Sequence, residues 1–342
     1  MFIDVRSPGE YAKNKIPGAL NVPVFFNQER EELGKIYHQE NSMAARRRGI
    51  ELASTKLPHL VDHIAELVGD NTPILYCWRG GLRSLGVQQI LTLAGIPALR
   101  IRGGYKAYRR FINKSLQNYS FKSQPIILHG LTGTGKTLII KELFRQGFPT
   151  IDIEGMACHR GSIFGKIGYH HSPTQKDFEA MLWHKLQKYK DAPCLVMEKE
   201  GKKLGNLFLP KPITWAMEEG THLLLHAPLE VRARRIAAEY IPYQLSTEEK
   251  EQFRNAINQL SSRLGNKMAG ELIKLLEAEK YYECAFILCR DYYDQHYPDA
   301  RPQNYAYSAH IDTTSISSAT GEIIKFIEGL NRSSGGNKLK IN

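Results

Sequence analysis

The chain has 342 residues, enough for about two domains. Hydrophobic residues make up 42% and charged residues 24%, which excludes a disordered or fibrous chain. No apolar run reaches the roughly 18 residues of a membrane span. The opening MFIDVRSPGE brings charges in too early for a signal peptide. Five cysteines, an odd set without a CxxC pair, read as reduced thiols, so a cytoplasmic location is expected. Lys and Arg number 46 against 35 Asp and Glu, a net charge of +11 that suits a polyanionic partner.

Residues 1–116 read as one α/β domain. Met1–Val5 is an apolar strand broken by Ser7-Pro8, with a short helix from Glu10 to Lys13. Residues 16–23 read as turn, short extended piece and turn. Helical stretches follow at Gln28–Tyr37 and from Met43 towards Val68. Pro73–Tyr76 is a buried-type strand, Ser84–Ala94 a helix stopped by Gly95, Ala98–Ile101 a strand, and Tyr105–Leu116 a basic helix. The polar, aperiodic segment 117–124 marks the boundary. The second domain, 125–330, opens with strand Pro125–His129, a Gly-rich loop and helix Lys136–Gln146. Further strands are expected at Thr150–Ile153, Cys194–Glu198, His222–His226 and Ala309–Asp312, with helical stretches over 229–239 and 247–293. Strands alternating with helices predict a mainly parallel sheet in each half. A frayed tail is expected over Ser333–Lys338.

Cys77-Trp78-Arg79-Gly80-Gly81-Leu82-Arg83-Ser84 lies between a strand and a helix. Gly80 and Gly81 can turn backbone amides inward as an anion nest, the helix N-terminus adds positive potential, and Arg79 and Arg83 add full charges. This setting favours a nucleophilic thiolate at Cys77. Which arginine points inward is open. Cys194, Cys284 and Cys289 lie in apolar or helical runs and read as packing residues.

Gly130-Leu131-Thr132-Gly133-Thr134-Gly135-Lys136-Thr137 fits G-x-x-x-x-G-K-[ST], after a strand and before a helix. Its amides would wrap a diphosphate, Lys136 would neutralise charge, and Thr137 is where a Mg²⁺ would bind. Glu198 or Glu200 at the end of the Cys194–Glu198 strand is the candidate acidic partner, with a solvated charge pair as the bland alternative. Cys158-His159 with His170-His171 matches no common zinc spacing. His159-Arg160-Gly161-Ser162 reads instead as a basic loop for phosphate or RNA. Arg46-Arg47-Arg48, Lys106 with Arg109-Arg110, and Arg232 with Arg234-Arg235 are candidate tRNA phosphate contacts, each taken singly reading more readily as a solvated helix face.

Phe2–Tyr11, Ile16–Pro23, the Cys77 loop and Arg102–Tyr108 together resemble a rhodanese domain. That resemblance implies sulfur or selenium carried on Cys77. Arg83 stands six residues after Cys77, one more than in common sulfurtransferase loops, which keeps a rhodanese-related phosphatase open. A rhodanese-like domain ahead of a P-loop domain resembles the tRNA 2-selenouridine synthase family. Further matching positions are Gln28–Arg30 with Gly34 and Tyr37, His159–Ser162 with Phe164-Gly165, Glu198, Glu200, Gly205 and Pro210, Glu230–Arg232 with Arg235, Glu239-Tyr240, and Tyr292–Asp294 with Tyr297. The family implies replacement of sulfur by selenium in wobble 2-thiouridine of tRNA. Selenophosphate would be the donor and geranyl diphosphate would supply an S-geranyl intermediate. The chain departs from the family in starting at the Asp4 strand and in carrying Lys199 and Gly201 where an acid and a serine are usual. Two other classes remain: a P-loop NTPase or kinase with a rhodanese-like regulatory or phosphatase domain, and a binding module whose P-loop is a ligand-gated switch.

Overall fold

The computed structural model describes residues 1–169, 171–241, 243–296 and 305–333. His170, Tyr297 and the tail beyond Ser333 lie outside them. The chain divides into two units: Met1–Asn118 with Thr174–Trp183, and Tyr119–Pro173 with the chain from His184 onward. Among the described residues no helix is long and apolar enough to cross a membrane.

In the first unit, β1 (Phe2–Asp4), β2 (Leu20–Asn21), β3 (Ile74–Tyr76) and β4 (Leu99–Arg100) form a parallel sheet in the order β2-β1-β3-β4. Around it lie α1 (Pro8–Lys13), α2 (Asn27–Gln39), α3 (Ser42–Ser54), α4 (Leu57–Val68), α5 (Leu82–Leu93) and α6 (Gly104–Gln117). The stretch from Met43 towards Val68 is two helices rather than one. Pro58 stands in the first turn of α4, where its missing N–H costs nothing, but it could not lie inside a longer helix. Leu60, Ile64 and Val68, spaced by four, form the buried stripe of α4 and join Ile3, Val5, Leu75, Val87 and Leu91 in the core.

One ion pair lies wholly inside this unit. Asp4 and Arg6 are 0% and 1% exposed, and the Arg6 guanidinium meets the Asp4 carboxylate at 2.6 Å. The Arg6 Nη2 also donates to the Asn14 carbonyl at 2.7 Å, and the guanidinium stacks 4.6 Å over Tyr105.

In the second unit, β5 (Gln124–His129) is the middle strand of a parallel sheet ordered β11-β10-β5-β7-β6. Its neighbours are β6 (Thr150–Ile151), β7 (Cys194–Glu198), β10 (Thr221–His226) and β11 (Tyr307–Asp312), and β7 is buried throughout, as a parallel strand covered on both faces must be. A separate antiparallel hairpin joins β8 (Lys203–Leu204) to β9 (Leu207–Phe208). The helices are α7 (Lys136–Arg145), α8 (Ile153–Ala157), α10 (Lys211–Glu219), α11 (Leu229–Tyr240), α12 (Thr247–Leu264), α13 (Asn266–Glu277), α14 (Tyr281–Leu288), α15 (Asp294–His296) and α16 (Ile316–Ser333), and α9 (Gln175–Lys188) belongs to the first unit as far as Trp183. The expected helical stretch 247–293 is interrupted at Gly265 and Glu279, both with positive φ, and ends in a π-helical turn at Cys289–Tyr293. Phe253, Ile257, Leu260, Leu272 and Leu276 fill the space this folding-back creates.

Asp4→Ala would strand a buried guanidinium. It is expected to destabilise the first unit by about 3–5 kcal/mol, read as a lowered urea midpoint in equilibrium unfolding.

Candidate functional site

Cys77 is the first residue beyond β3, and the loop it opens is held from behind by its own carbonyls. Tyr105 N–H donates to Cys77 O and Lys106 N–H to Trp78 O, both at 2.9 Å, so the first turn of α6 is capped by the cysteine loop. This close approach requires glycine: a Cβ on Gly104 (φ +59°) would overlap the Cys77 carbonyl and the Gly80 amide. Trp78 stacks on Tyr105, which also meets the Arg6 guanidinium and the Tyr108 ring. Cys77 is buried, at 3% exposure, and its sulfur lies 3.3 Å from the Ser84 hydroxyl and donates to Gly81 O at 3.9 Å, at the start of α5.

The two arginines separate. Arg83 is turned onto Glu10, with contacts of 2.6 and 3.3 Å. Glu10 also closes a capping box with Ser7 at the start of α1. Burial works against ionising Glu10, but the Arg83 hydrogen bond, the Ser7 amide and Arg30 hold its carboxyl below the usual range. Arg79 is exposed and makes no ion pair among the described residues, and Arg100 donates to the Gly80 carbonyl of the loop. Cys194, Cys284 and Cys289 are buried. Burial pushes their thiols up to about 11, 12 and 11.

The phosphate loop leaves the end of β5. Its carbonyls are engaged from outside: Arg232 Nε donates to Thr132 O at 2.9 Å, and Arg235 Nη1 and Thr313 Oγ1 donate to Thr134 O at 3.1 and 2.6 Å. Among the described residues the amides of Thr132, Gly133 and Gly135 have no protein acceptor, which leaves them for an anion. Lys136 Nζ donates to Gly130 O at 2.8 Å across the loop.

Below it, Thr137 Oγ1 stands 3.1 Å from Glu154 Oε2 and 3.3 Å from Glu198 Oε2, and Glu154 N–H donates to Glu198 Oε1 at 3.1 Å. One hydroxyl proton cannot serve two carboxylates, so the arrangement holds together with a further proton or a cation. Glu198 is wholly buried, and burial with the charges of Glu154 and Glu200 raises its carboxyl well above the usual range. Burial also pushes Glu154 up to about 7, against the pull of Lys136. Glu200 rises to about 8 through burial and Glu154, opposed by Lys136 and Lys199. Oxygen donors that resist ionising together suit a hard divalent cation beside the loop. Gly130, Gly133, Gly135, Lys136, Thr137, Glu154, Glu200, Arg160 and Ser162 line a cleft of about 300 Å³.

A family model described as tRNA 2-selenouridine synthase AAA domain matches residues 123–328, and a rhodanese-like domain model matches residues 1–111. The protein named tRNA 2-selenouridine synthase from Cupriavidus necator is 34% identical over 332 residues, covering 89% of each chain. The one from Cupriavidus pinatubonensis is 36% identical over 328 residues, 86% of this chain and 87% of its own. That from Shewanella loihica is 32% identical over 324 residues, 86% of each. The chain belongs to the tRNA 2-selenouridine synthase family.

For a tRNA 2-selenouridine synthase, a family of tRNA-modifying transferases, several site residues take places that local sequence does not reveal. His159 does not line the cleft. Its ring is wedged between the backbones at Gly165 and Gly205, where added Cβ atoms would lie 2.7 and 2.6 Å from it. Arg160 does line the cleft, between the rings of Tyr169 and Tyr240 at 4.7 Å each, and pairs with Glu239. Ser162 hydrogen-bonds the Tyr240 hydroxyl at 3.0 Å. Arg232 is no solvated tRNA contact. It is buried, and beyond its bond to Thr132 it forms a two-pronged pair with Asp294 at 2.9 and 2.5 Å. Arg235 is likewise spent on the loop and Thr313, Arg109 on Glu179 and Arg48 on Glu32. Arg234, Arg46, Arg47, Lys106 and Arg110 are exposed. Glu154 was not singled out from sequence. The Asp152-Ile153-Glu154 run at a strand end was the available signal.

Gly104→Ala is expected to displace the cysteine loop and cut selenium transfer by about 10²-fold while leaving pyrophosphate binding intact, as measured by nucleoside analysis and calorimetry. For Glu200 the linkage has a definite sign. An acid whose folded pKa is raised costs stability increasingly as pH climbs from the unfolded value near 4.3 towards about 8. Glu200→Gln should therefore raise the melting temperature at about pH 8.5, by about 2–4 °C per kcal/mol relieved, and leave it unchanged near pH 5.

Proposed function

We propose that the chain converts wobble 2-thiouridine of tRNA into 2-selenouridine through an S-geranyl intermediate, drawing on geranyl diphosphate and selenophosphate, and that it acts in the cytoplasm. Family membership supports tRNA and a selenium donor as substrates. The observation that carries the two-step reading is the phosphate loop with its unpaired amides, Lys136 and an adjoining cleft of about 300 Å³, which has room for more than a diphosphate.

In the first step the thiocarbonyl sulfur attacks the carbon bearing the diphosphate, and the diphosphate leaves onto the loop amides and Lys136, which take up its charge where it develops. Thr137, Glu154 and Glu198 are the residues that would hold a Mg²⁺, which would supply further charge neutralisation there. Alkylated sulfur is a far better leaving group than a thiocarbonyl. In the second step the selenium of selenophosphate, held at the Cys77 loop, attacks C2, geranyl thiol departs, and the phosphoryl group left on selenium passes to water as phosphate. Ser84 beside the sulfur and Arg79 at the surface are placed to meet the donor's anionic group. Arg83, committed to Glu10, is not free to clasp a phosphoryl group, which weighs against a phosphatase reading of the longer loop.

Incubation with thiolated tRNA, geranyl diphosphate and selenophosphate, followed by nucleoside mass spectrometry, tests this directly. Cys77→Ser is expected to abolish selenation and retain geranylation. Lys136→Ala should lower geranylation by about 10²-fold or more. Loss of the same single step in both variants would sink the assignment of one step to each loop.

A further inference from the structure

The positive charge of the chain is not spread evenly. Residues 71–141 contain no Asp or Glu and eleven Lys or Arg, which equals the whole net charge of +11; the rest of the chain balances, with 35 of each sign. Several cations of this segment are already engaged. Arg83 pairs with Glu10 and Arg109 with Glu179, Arg100 donates to the Gly80 carbonyl, and Lys136 donates to the Gly130 carbonyl. In the first unit that leaves Arg79, Arg102, Lys106, Arg110 and Lys114, all exposed and without an ion pair among the described residues.

Helix α6 sets three of these in a row. Its buried side is Tyr105, Ile112 and Leu116. Lys106, Arg110 and Lys114 recur at every fourth residue and so share one solvent-facing side. At 1.5 Å of rise per residue they place a positive charge about every 6 Å along the helix. The row starts at the cysteine loop, because the first amides of α6 bind the Cys77 and Trp78 carbonyls. Gly80 packs against the backbone of Gly103 and Gly104, which brings Arg79 and Arg102, the residues beside that contact, to the same end. Helix α3 shows the contrast: Arg48 is tied to Glu32 and Glu51, and Arg47 stands 3.8 Å from Glu51. Like charges four residues apart on a helix repel, so the α6 row is a cost to the fold that a bound polyanion would offset. A protein partner would call for an apolar or aromatic centre, from which lysine is depleted, whereas a phosphate backbone calls for evenly repeated cations.

We infer that the outer side of α6 is the track on which the tRNA phosphate backbone runs to the cysteine loop. Lys106, Arg110 and Lys114 engage successive phosphates, and Arg79 and Arg102 receive the strand where it reaches Cys77. The inference rests on the proposed function, in which the wobble base must come to the selenium donor, and adds the surface that delivers it. The test uses the full chain, with fluorescence anisotropy of labelled thiolated tRNA across a KCl series and calorimetric binding of inorganic pyrophosphate. Arg110→Gln is expected to flatten the slope of log K against log salt by roughly 0.7–0.9 for one lost phosphate contact, and Lys106→Gln, Arg110→Gln and Lys114→Gln together by roughly 2–3. A control variant with Lys267→Gln, Lys274→Gln and Lys280→Gln, three exposed lysines of the balanced part of the chain, should keep the wild-type slope. Pyrophosphate binding should be unchanged in all three. An unaltered slope in the α6 variants, as an acidic protein partner for this face would give, overturns the inference. So does equal flattening by the control, which would mean a diffuse field, or loss of pyrophosphate binding alongside tRNA binding. Because the readout is binding, wild-type protein that holds tRNA through α6 yet transfers neither group would refute the proposed function and leave the α6 assignment standing.

Discussion

Both reactive loops hang from the carboxyl end of an interior strand in a parallel sheet, and the chemistry depends on that placement. β3 lies between β1 and β4, and β5 between β10 and β7. An interior strand has its backbone groups committed to two neighbours, so its end is fixed in space more firmly than any loop alone could be. Cys77 follows the last residue of β3 and Gly130 the last residue of β5. In each case a helix begins within a few residues, and its first amides face back towards the strand end. The neighbouring strand also ends there and delivers an acid: Asp4 opposite Tyr76 in one unit, Glu198 opposite Leu128 in the other.

Those two acids share a topological position and meet opposite electrostatic fates. Asp4 is matched by Arg6 at 2.6 Å, and the pair is closed off by Asn14 and the rings of Tyr105 and Trp78. Its charge is spent inside the protein on orienting the aromatic wall behind Cys77. Among the described residues Glu198 has the Thr137 hydroxyl and the Glu154 amide as donors, with Glu154 and Glu200 as repelling neighbours. A buried carboxyl without a cation raises its pKa or recruits a counter-ion. The second unit thus keeps an unsatisfied demand for positive charge beside Thr137 of the phosphate loop, whereas the buried acid of the first unit is matched.

The legible parts of this arrangement were the local ones. The run from Gly130 to Thr137 and the Cys77 loop are each contiguous, so spacing alone placed them between strand and helix. The parallel strands were visible because each is a short apolar run between turn residues. Four things resisted reading, two because they depend on contacts between distant residues and two because the elements are too short to carry a pattern. Arg232 and Arg235 look like one face of a basic helix, yet they bind carbonyls about a hundred residues away. Arg83 looks like an anion ligand until Glu10, 73 residues earlier, claims it. Glu154 belongs to a five-residue helix with no periodicity to announce it. The β8–β9 strands have two residues each, too few for alternation to register.

The same bookkeeping changes the meaning of the net charge of +11. Long-range attraction of a polyanion depends on charges exposed to solvent, and a guanidinium paired with a carboxylate contributes little beyond a Debye length. Arg6, Arg48, Arg83, Arg109, Arg160 and Arg232 are all paired to acids. The most conspicuous arginines therefore organise loops rather than attract RNA. The attractive field must come from side chains that no carboxylate neutralises, and among the described residues Lys203 is one that makes no ion pair and also lines the cleft. Lysine is the suited residue there. A hydrated point charge on a flexible stem follows a moving phosphate backbone, whereas the rigid fork of arginine serves best where geometry is already fixed.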